Sequence, residues 1–482
     1  MIMQSLLKII CAFSFLFYSI ALSAQNEVAD TSLATADTLS KGERLFQEAE
    51  VLKSEKKIHE AIGKYDEAIT AFLEQDDLKG YEKSVSEIHL LGLTDPSSWL
   101  DFYKEKAKFC EAHFGREDKF TGTWYFYLGE LYSAIQQYES AEEAYRQTLE
   151  IFQVAEVRKY LIHVAYERLG GVQFSNAKFE EAETSYKESA KVYDTLIEEN
   201  LITQEEYEIG LARRYNNFGI LKKEQAKYEE ALSYYDASLQ IFLKHDRRKN
   251  LALNYYNIGI IYLELQIPQK AKEYLQKSIV YLKEQYGESH PFVALTYTLV
   301  GEANKKLFDF KEATDNYEKS IAINIQNFGP EHHRVGLGYS TLGAHHMEIG
   351  EYDRAENLLQ KAVFIYEKNF PDPFPEKSSA YVTLGKIWHA QNIKQDSALI
   401  LFNKALNDIK SVRGERHPLL GDLYVNIGEV YMSSDDRDKA ALNYQKALIA
   451  NTRQFNNLDF SENPDPDEFL DFSEGLNALS YK

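Results

Sequence analysis

The stretch Tyr424-Val425-Asn426-Ile427-Gly428-Glu429-Val430-Tyr431, with Ala440 and Tyr444 beyond it, decides the reading of this chain, because its spacing occurs eight times. Glycines stand at Gly129, Gly170, Gly219, Gly259, Gly301, Gly343, Gly385 and Gly428, at intervals of 41, 49, 40, 42, 42, 42 and 43 residues. Four residues before each is a tyrosine: Tyr125, Tyr166, Tyr215, Tyr255, Tyr297, Tyr339, Tyr381 and Tyr424. Twelve after comes an alanine, Ala141, Ala182, Ala231, Ala271, Ala313, Ala355 and Ala440, with Ala398 at thirteen. Four further on is a large residue: Tyr145, Tyr186, Tyr235, Leu275, Tyr317, Leu359, Phe402 and Tyr444. Eight registers of four positions are an internal repeat.

On a helix, the tyrosine, the residue three on, the glycine and the residue three beyond it share one face. Glycine there costs about 1 kcal/mol of helix propensity, so a close approach of a partner helix must offset it. The alanine is the small residue of that second helix. The large residue after it is expected to fill the gap between successive pairs, and the eight periodic tyrosines are expected in the core.

The pattern Tyr125-x2-Leu128-Gly129-x2-Tyr132…Ala141-x3-Tyr145 resembles the tetratricopeptide repeat, with tyrosine in place of the usual tryptophan. The resemblance implies an all-α fold, a right-handed superhelical solenoid of antiparallel helix pairs. The period of 42 is longer than the usual 34 and is similar to that of kinesin light chains and their bacterial relatives. The connectors Gly287-Glu288-Ser289-His290-Pro291, Gly329-Pro330-Glu331-His332-His333 and Gly414-Glu415-Arg416-His417-Pro418 recur at one place in three repeats. Glycine suits a left-handed position just past a helix, and proline the first turn of the next.

Eight repeats therefore occupy 121–456, and two degenerate ones 43–120, where Ala49, Ala61, Tyr65 and Ala68 keep the offsets of one and Leu78–Gly92 with Pro96–Phe114 leave room for the other. Asp194–Arg214 holds seven extra residues, a lengthened helix or an insert. Residues 457–482 read as an acidic linker and a terminal helix, Phe469 to Leu479, that looks like the start of a further helical unit.

Met1 to Ala24 has the layout of a secretory signal peptide: Lys8, an apolar run from Ile9 to Ile20, then the small residues Ala21-Leu22-Ser23-Ala24. The run is shorter than the span of about 20 residues that a membrane helix needs, so no membrane insertion of the mature chain is expected. Residues 25–42 read as a flexible leader. The expected location is exported, periplasmic or extracellular in a bacterium. After cleavage only Cys110 remains of two cysteines, which excludes an intramolecular disulfide. Lysine plus arginine is 54 and aspartate plus glutamate 75, a net charge of −21, which argues against nucleic acid as partner.

Twelve histidines include His290, His332, His333, His345, His346 and His417, but the first, second and last are equivalent positions spread along the repeats, so no metal site is expected. Cys110 and His113 lack an oxyanion loop and an orienting acid, and no phosphate loop or nucleophile elbow occurs. The expectation is a chain without catalytic, metal-binding or cofactor-binding residues, an exported scaffold for a protein or extended peptide.

In the tetratricopeptide family an asparagine two residues before the glycine often hydrogen-bonds the backbone of a bound peptide. The matching residues are Asn217, Asn257 and Asn426, while the other repeats carry Tyr127, Arg168, Leu299, Thr341 and Thr383. Arg213, Lys223 and Tyr256 are their expected neighbours in a concave groove. Exported bacterial repeat arrays of this kind also resemble those that precede a caspase-like CHAT peptidase domain. The alternative reading is therefore a regulatory or substrate-recruiting arm, with a possible downstream catalytic domain outside this sequence. A histidine-kinase sensor would need a membrane span after the repeats, and the sequence has none there.

Overall fold

In the computed structural model the described residues are 39–155, 157–370, 373–458, 462–465 and 469–470. The signal segment 1–24, most of the leader, and residues 471–482, which include all but the first two residues of the expected terminal helix, lie outside them. Among the described residues all regular structure is helical except one antiparallel bridge, Thr452 to Phe469. Ten helix pairs follow one another. They are α1 Lys41–Ser54 with α2 Ile58–Glu74, α3 Leu78–Gly92 with α4 Pro96–Phe114, α5 Lys119–Ala134 with α6 Tyr138–Val154, α7 Lys159–Ser175 with α8 Phe179–Glu198, and α9 Gln204–Glu224 with α10 Tyr228–Lys244. Then come α11 Arg248–Glu264 with α12 Pro268–Tyr286, α13 Pro291–Lys306 with α14 Phe310–Phe328, α15 His333–Glu348 with α16 Tyr352–Asn369, α17 Pro375–Ala390 with α18 Gln395–Arg413, and α19 Pro418–Ser433 with α20 Arg437–Ala450. Two compact units, Met1–Ile241 and Phe242–Lys482, divide within α10. The fold is an all-α solenoid of antiparallel pairs. α1 opens at Lys41 behind a Ser40–Glu43 capping box, so the expected leader ends two residues early.

Each pair is closed by a glycine and the large residue sixteen or seventeen positions later. A Cβ added to Gly129, Gly170 or Gly219 would lie 2.9, 2.7 and 2.8 Å from the rings of Tyr145, Tyr186 and Tyr235. In the second unit Gly259, Gly301, Gly343 and Gly385 stand in the same relation to Leu275, Tyr317, Leu359 and Phe402, at 2.6, 2.7, 2.8 and 2.6 Å. The large residue thus seats on the glycine of its own pair and also reaches the next pair, as Tyr186 does at Phe218 and Tyr317 at His345. The missing side chain leaves the notch that the ring needs. All eight alanines of the pattern are fully buried beside it. A hydroxyl on the second helix adds a tie, Ser238 Oγ donating to Ala212 O at 2.7 Å and Ser278 Oγ to Ala252 O at 2.8 Å.

The periodic tyrosines of the first helices differ from expectation too. Tyr255 and Tyr381 are buried, but the other six are half-buried. Their position lies at the rim between two helices, where a phenol keeps its hydroxyl wet while its ring packs. The extra residues around 194–214 lengthen both helices, α8 to 20 residues and α9 to 21. Arg214 ties them, donating to Ala190 O at 3.0 Å and Asp194 Oδ1 at 2.9 Å.

The connectors between pairs show why glycine and histidine recur in them. Gly287 has φ 86 and ψ 163, and Gly329 φ 83 and ψ 162. That is extended backbone of the mirror-image hand and not the expected left-handed helical cap, a region essentially restricted to glycine. Three residues on, the histidine caps the next helix through Nδ1, which accepts from Phe292 N at 3.2 Å, Arg334 N at 3.3 Å and Leu419 N at 3.2 Å. Asp118 fills the same place with Oδ1, 2.7 Å from Phe120 N. A capping Nδ1 must be unprotonated. Burial lowers the pKa of His290, His332 and His417, and burial plus the neighbouring charges pushes His333 down to about 4.

These histidines make stability depend on pH. Their folded pKa values lie below the unfolded value of about 6.5, so below that pH the unfolded chain binds more protons. Their contribution is present at neutral pH and is lost as pH falls below about 6.5, for His333 down to about 4. Thermal melting between pH 7 and 5 should show this loss. Replacing His290, His332 and His417 by aspartate should flatten it, and an unchanged slope would remove the caps as its cause.

The tail folds back on α20. The Arg416 guanidinium donates to the carbonyls of Ile449, Thr452 and Phe455 at 3.0, 2.9 and 2.9 Å, closing the C-terminal end of that helix. Phe469 packs on Ala447 and Leu448, and Leu470 N–H donates to Asn451 O at 2.7 Å. At its start, then, the expected terminal helix is a bridge that covers the last pair.

Candidate binding surface

Cys110 is a packing residue. It is buried with Sγ 3.1 Å from the Tyr81 hydroxyl, and burial pushes its thiol up to about 11. His345 is buried, its Nε2 at 3.1 Å from Thr314 Oγ1 and 3.2 Å from Phe310 O, while His346 Nδ1 lies 2.9 Å from Glu351 Oε2. Among the described residues no group of three or more metal-ligating side chains converges.

The six expected groove residues do not form one cluster. Arg213, Asn217 and Lys223 lie on α9 in the first unit, Tyr256 and Asn257 on α11 and Asn426 on α19 in the second. Arg213 and Asn217 are four apart on one face, but Lys223 is six beyond Asn217 and points about 120° away. Lys223 is 6% exposed, with Nζ 3.0 Å from Glu224 Oε1. Tyr256 is 3% exposed with its ring 4.8 Å from Phe292, so it belongs to the core and is withdrawn as a contact residue. The reason is that α11 is buried nearly all round, at Leu251, Ala252, Tyr255, Ile258, Ile260 and Ile261 among its own residues. Asn257 is 9% exposed. Asn426 is half-buried and donates to Asp422 O, 2.8 Å away on its own helix.

In the first unit, the residues two before the glycine tie successive first helices together. Tyr127 stacks flat on His89 of α3, centroids 3.9 Å apart at 7°. Arg168 Nε donates to Glu130 Oε1 of α5 at 2.8 Å, and His89 Nε2 lies 2.6 Å from Glu130 Oε2. Asn217 Nδ2 donates to Glu167 Oε1 of α7 at 3.3 Å. Burial would raise the Glu130 carboxyl, but the Arg168 charge and the His89 bond outweigh it and hold the pKa at about 2. The strip is polar, charge-balanced and in register from repeat to repeat.

A second set escaped the sequence reading. In the five pairs of the second unit a lysine of the second helix sits by the periodic tyrosine of the first: Lys277 at 5.9 Å from the Tyr255 ring, Lys319 at 5.6 Å from Tyr297, Lys361 at 5.5 Å from Tyr339, Lys404 at 5.2 Å from Tyr381 and Lys446 at 5.9 Å from Tyr424. The signal was legible as lysine six residues after the periodic alanine. In the first unit that place holds Gln147, Glu188 and Ala237.

Models of the tetratricopeptide repeat match residues 125–153 and 421–450 and, in overlapping stretches, 210–280, 250–326 and 292–368. Those stretches of the chain are tetratricopeptide repeats. Among solved structures it is similar to the apo form of RapI, at 13% identity and TM-score 0.54 over 85% of this chain and 97% of that one. It is similar also to the apo form of the quorum sensor NprR from B. thuringiensis, at 13% identity and TM-score 0.51 over 83% and 99%. A shorter likeness covers 43% of this chain and 98% of a putative kinesin light chain from Podosopora anserina with nearly identical TPR-like repeats, at 18% identity and TM-score 0.38. No curated protein matches the chain in sequence.

Proposed function

We propose that the chain is an exported, non-catalytic scaffold that binds a protein or an extended peptide along its first helices. The observation that carries this is the polar strip itself, equivalent side chains set in register on successive repeats. An extended ligand must find partners for its backbone amides at regular intervals, since each left buried and unpaired costs about 1–3 kcal/mol. Asn217 spends one of its donors on Glu167 and keeps an amide oxygen and a second N–H. Asn257 occupies the same helical position one repeat later. The regulatory arm of a CHAT-type peptidase is a narrower form of this reading, in which the same strip recruits substrate.

Changing both Asn217 and Asn257 to alanine should weaken capture of the partner from an envelope extract at least tenfold with helicity kept, and beyond any loss of melting temperature that Asn257→Ala, at a buried position, causes by itself. Alanine for exposed residues of the second helices should do little. Equal recovery of every protein by wild type and double variant would place binding elsewhere, and a peptidase lost with the double variant would favour the narrower form. Mass spectrometry of the native protein should find the first 23 or 24 residues removed; an intact Met1 would take export out of the proposal.

A further inference from the structure

The Tyr–Lys rungs of the second unit differ from one another in a way that shows what they accept. At Tyr381 the rung is filled by the chain itself. Glu367, from the preceding pair, accepts from the Tyr381 hydroxyl at 2.7 Å and from Lys404 Nζ at 3.0 Å. A carboxylate is therefore the group that a tyrosine hydroxyl and a lysine so placed receive. At the two rungs where the corresponding residue is a lysine, a second cation stands by the ring: Lys283 joins Lys319 beside Tyr297, at 5.7 Å, and Lys410 joins Lys446 beside Tyr424, at 5.8 Å, although Lys283 is itself paired with Glu288 at 3.4 Å and Lys410 with Glu415 at 2.6 Å. Among the described residues no carboxylate lies within ion-pair distance of Lys319, Lys361 or Lys446, in a chain of net charge −21 with acids to spare.

The middle rung has room as well. A cavity of about 370 Å³ is lined by Tyr339, Lys361, Pro330, Glu331 and Phe364, and Phe364 is 57% exposed. The rungs face away from the asparagines, because Tyr255 and Asn257 are two residues apart and so about 200° apart round the helix. First helices of neighbouring pairs touch at α11–α13, α15–α17 and α17–α19. Packed helices lie about 8–10 Å apart, and an extended strand advances about 3.3 Å per residue. Rungs thus meet roughly every third residue of an extended chain.

We propose that this ladder docks an extended acidic segment of a partner protein, one carboxylate per open rung, with an apolar side chain of the segment against Phe364 in the cavity beside Tyr339. A carboxylate makes here the contacts that Glu367 already makes. A nucleic acid fits less well, since its phosphates are far denser than one per rung and the net charge of the protein repels them. The inference rests on the reading of the chain as a peptide-binding scaffold but uses a different face of it.

The test uses the full chain and a fluorescein-labelled peptide of about twelve residues, glutamate at every third position and one central phenylalanine. At low salt it should bind, and the same peptide with glutamine for glutamate should not. Exposed ion pairs each contribute roughly two- to fivefold, so the combined Lys319→Gln, Lys361→Gln and Lys446→Gln variant should bind about 10- to 100-fold more weakly with unchanged helicity. Glu367→Gln should free the fourth rung and tighten binding about two- to fivefold. Glu139→Gln, the same charge change in the first unit, should not.

Equal binding by the triple lysine variant, equal binding of the glutamine peptide, or no binding at all would overturn the proposal. So would a thymidine oligonucleotide that binds more tightly and loses affinity in the same variant, or a dimer that the variant dissociates, which would make the occupant a second copy of the chain. The Asn217→Ala, Asn257→Ala variant should keep the peptide. Loss of peptide binding in the triple lysine variant with partner capture intact separates the two faces, and absence of peptide binding with capture intact sinks the ladder alone.

Discussion

Gly259→Leu is expected to be among the most damaging single substitutions in the second unit. A Cβ at that position would meet Leu275 Cγ at 2.6 Å and Cδ2 at 2.8 Å, with the backbone oxygen of Ala271 at 3.4 Å. Leu275 and Ala271 are fully buried, so the neighbours have nowhere to retreat and the helices must part. Overpacking of this kind costs about 1–3 kcal/mol, and separating the pair adds lost burial. Stability in a repeat array is shared between neighbours, so the loss should appear as earlier exchange of amide protons in α11 and α12 as well as a lower melting temperature. Adding Leu275→Ala should recover part of it, because the added and removed volumes occupy one place. A Gly259→Leu protein that melts and exchanges like wild type would show that the two helices do not cross closely there.

Arg168→Met should cost about 3–5 kcal/mol in the first unit, since it strands the Glu130 carboxylate away from water with only His89 beside it. Arg168 and Glu130 side chains are 8% and 11% exposed, so little solvent screens the change. Pairing it with Glu130→Gln should restore much of the loss, because an amide can be buried more cheaply than a lone charge. The sign with pH follows from the depressed carboxyl, at about 2 in the folded chain. Its contribution is present above the unfolded value of about 4.3 and is lost as pH falls from there towards 2. Denaturant melts at pH 7 and pH 3 should therefore show the penalty of Arg168→Met shrinking at the lower pH. A penalty that is small at pH 7 would mean that water reaches Glu130.

The spacing of Gly129 through Gly428 was sufficient for the fold, because a helix pair needs a notch, a small neighbour and a large residue at offsets that helical geometry dictates. The same offsets showed only half of what the large residue does. Sequence spacing records that Tyr317 recurs with Gly301, but that its ring seats on this glycine while its edge also meets His345 of the next pair is a packing result. Histidine at 290, 332 and 417 was legible as recurrent and not as a cap. A cap requires an unprotonated Nδ1 aimed at one particular N–H, which only the folded arrangement sets.

What the amino-acid sequence determines by itself is the local and periodic part of this protein: paired helices, their lengths, the glycine connectors, and the recurrence of Asn217, Asn257 and the ladder lysines. Side-chain type and interval are enough for these, because each repeat solves the same packing problem with its nearest neighbours. Only the tertiary structure decides which recurring residues remain available. Tyr256 and Lys223 looked from their spacing as accessible as Asn217, yet one is enclosed in the core against Phe292 and the other is buried beside Glu224. Burial and pairing are set by side chains brought from other helices, some 40 residues away in the chain, and no interval within one helix encodes them.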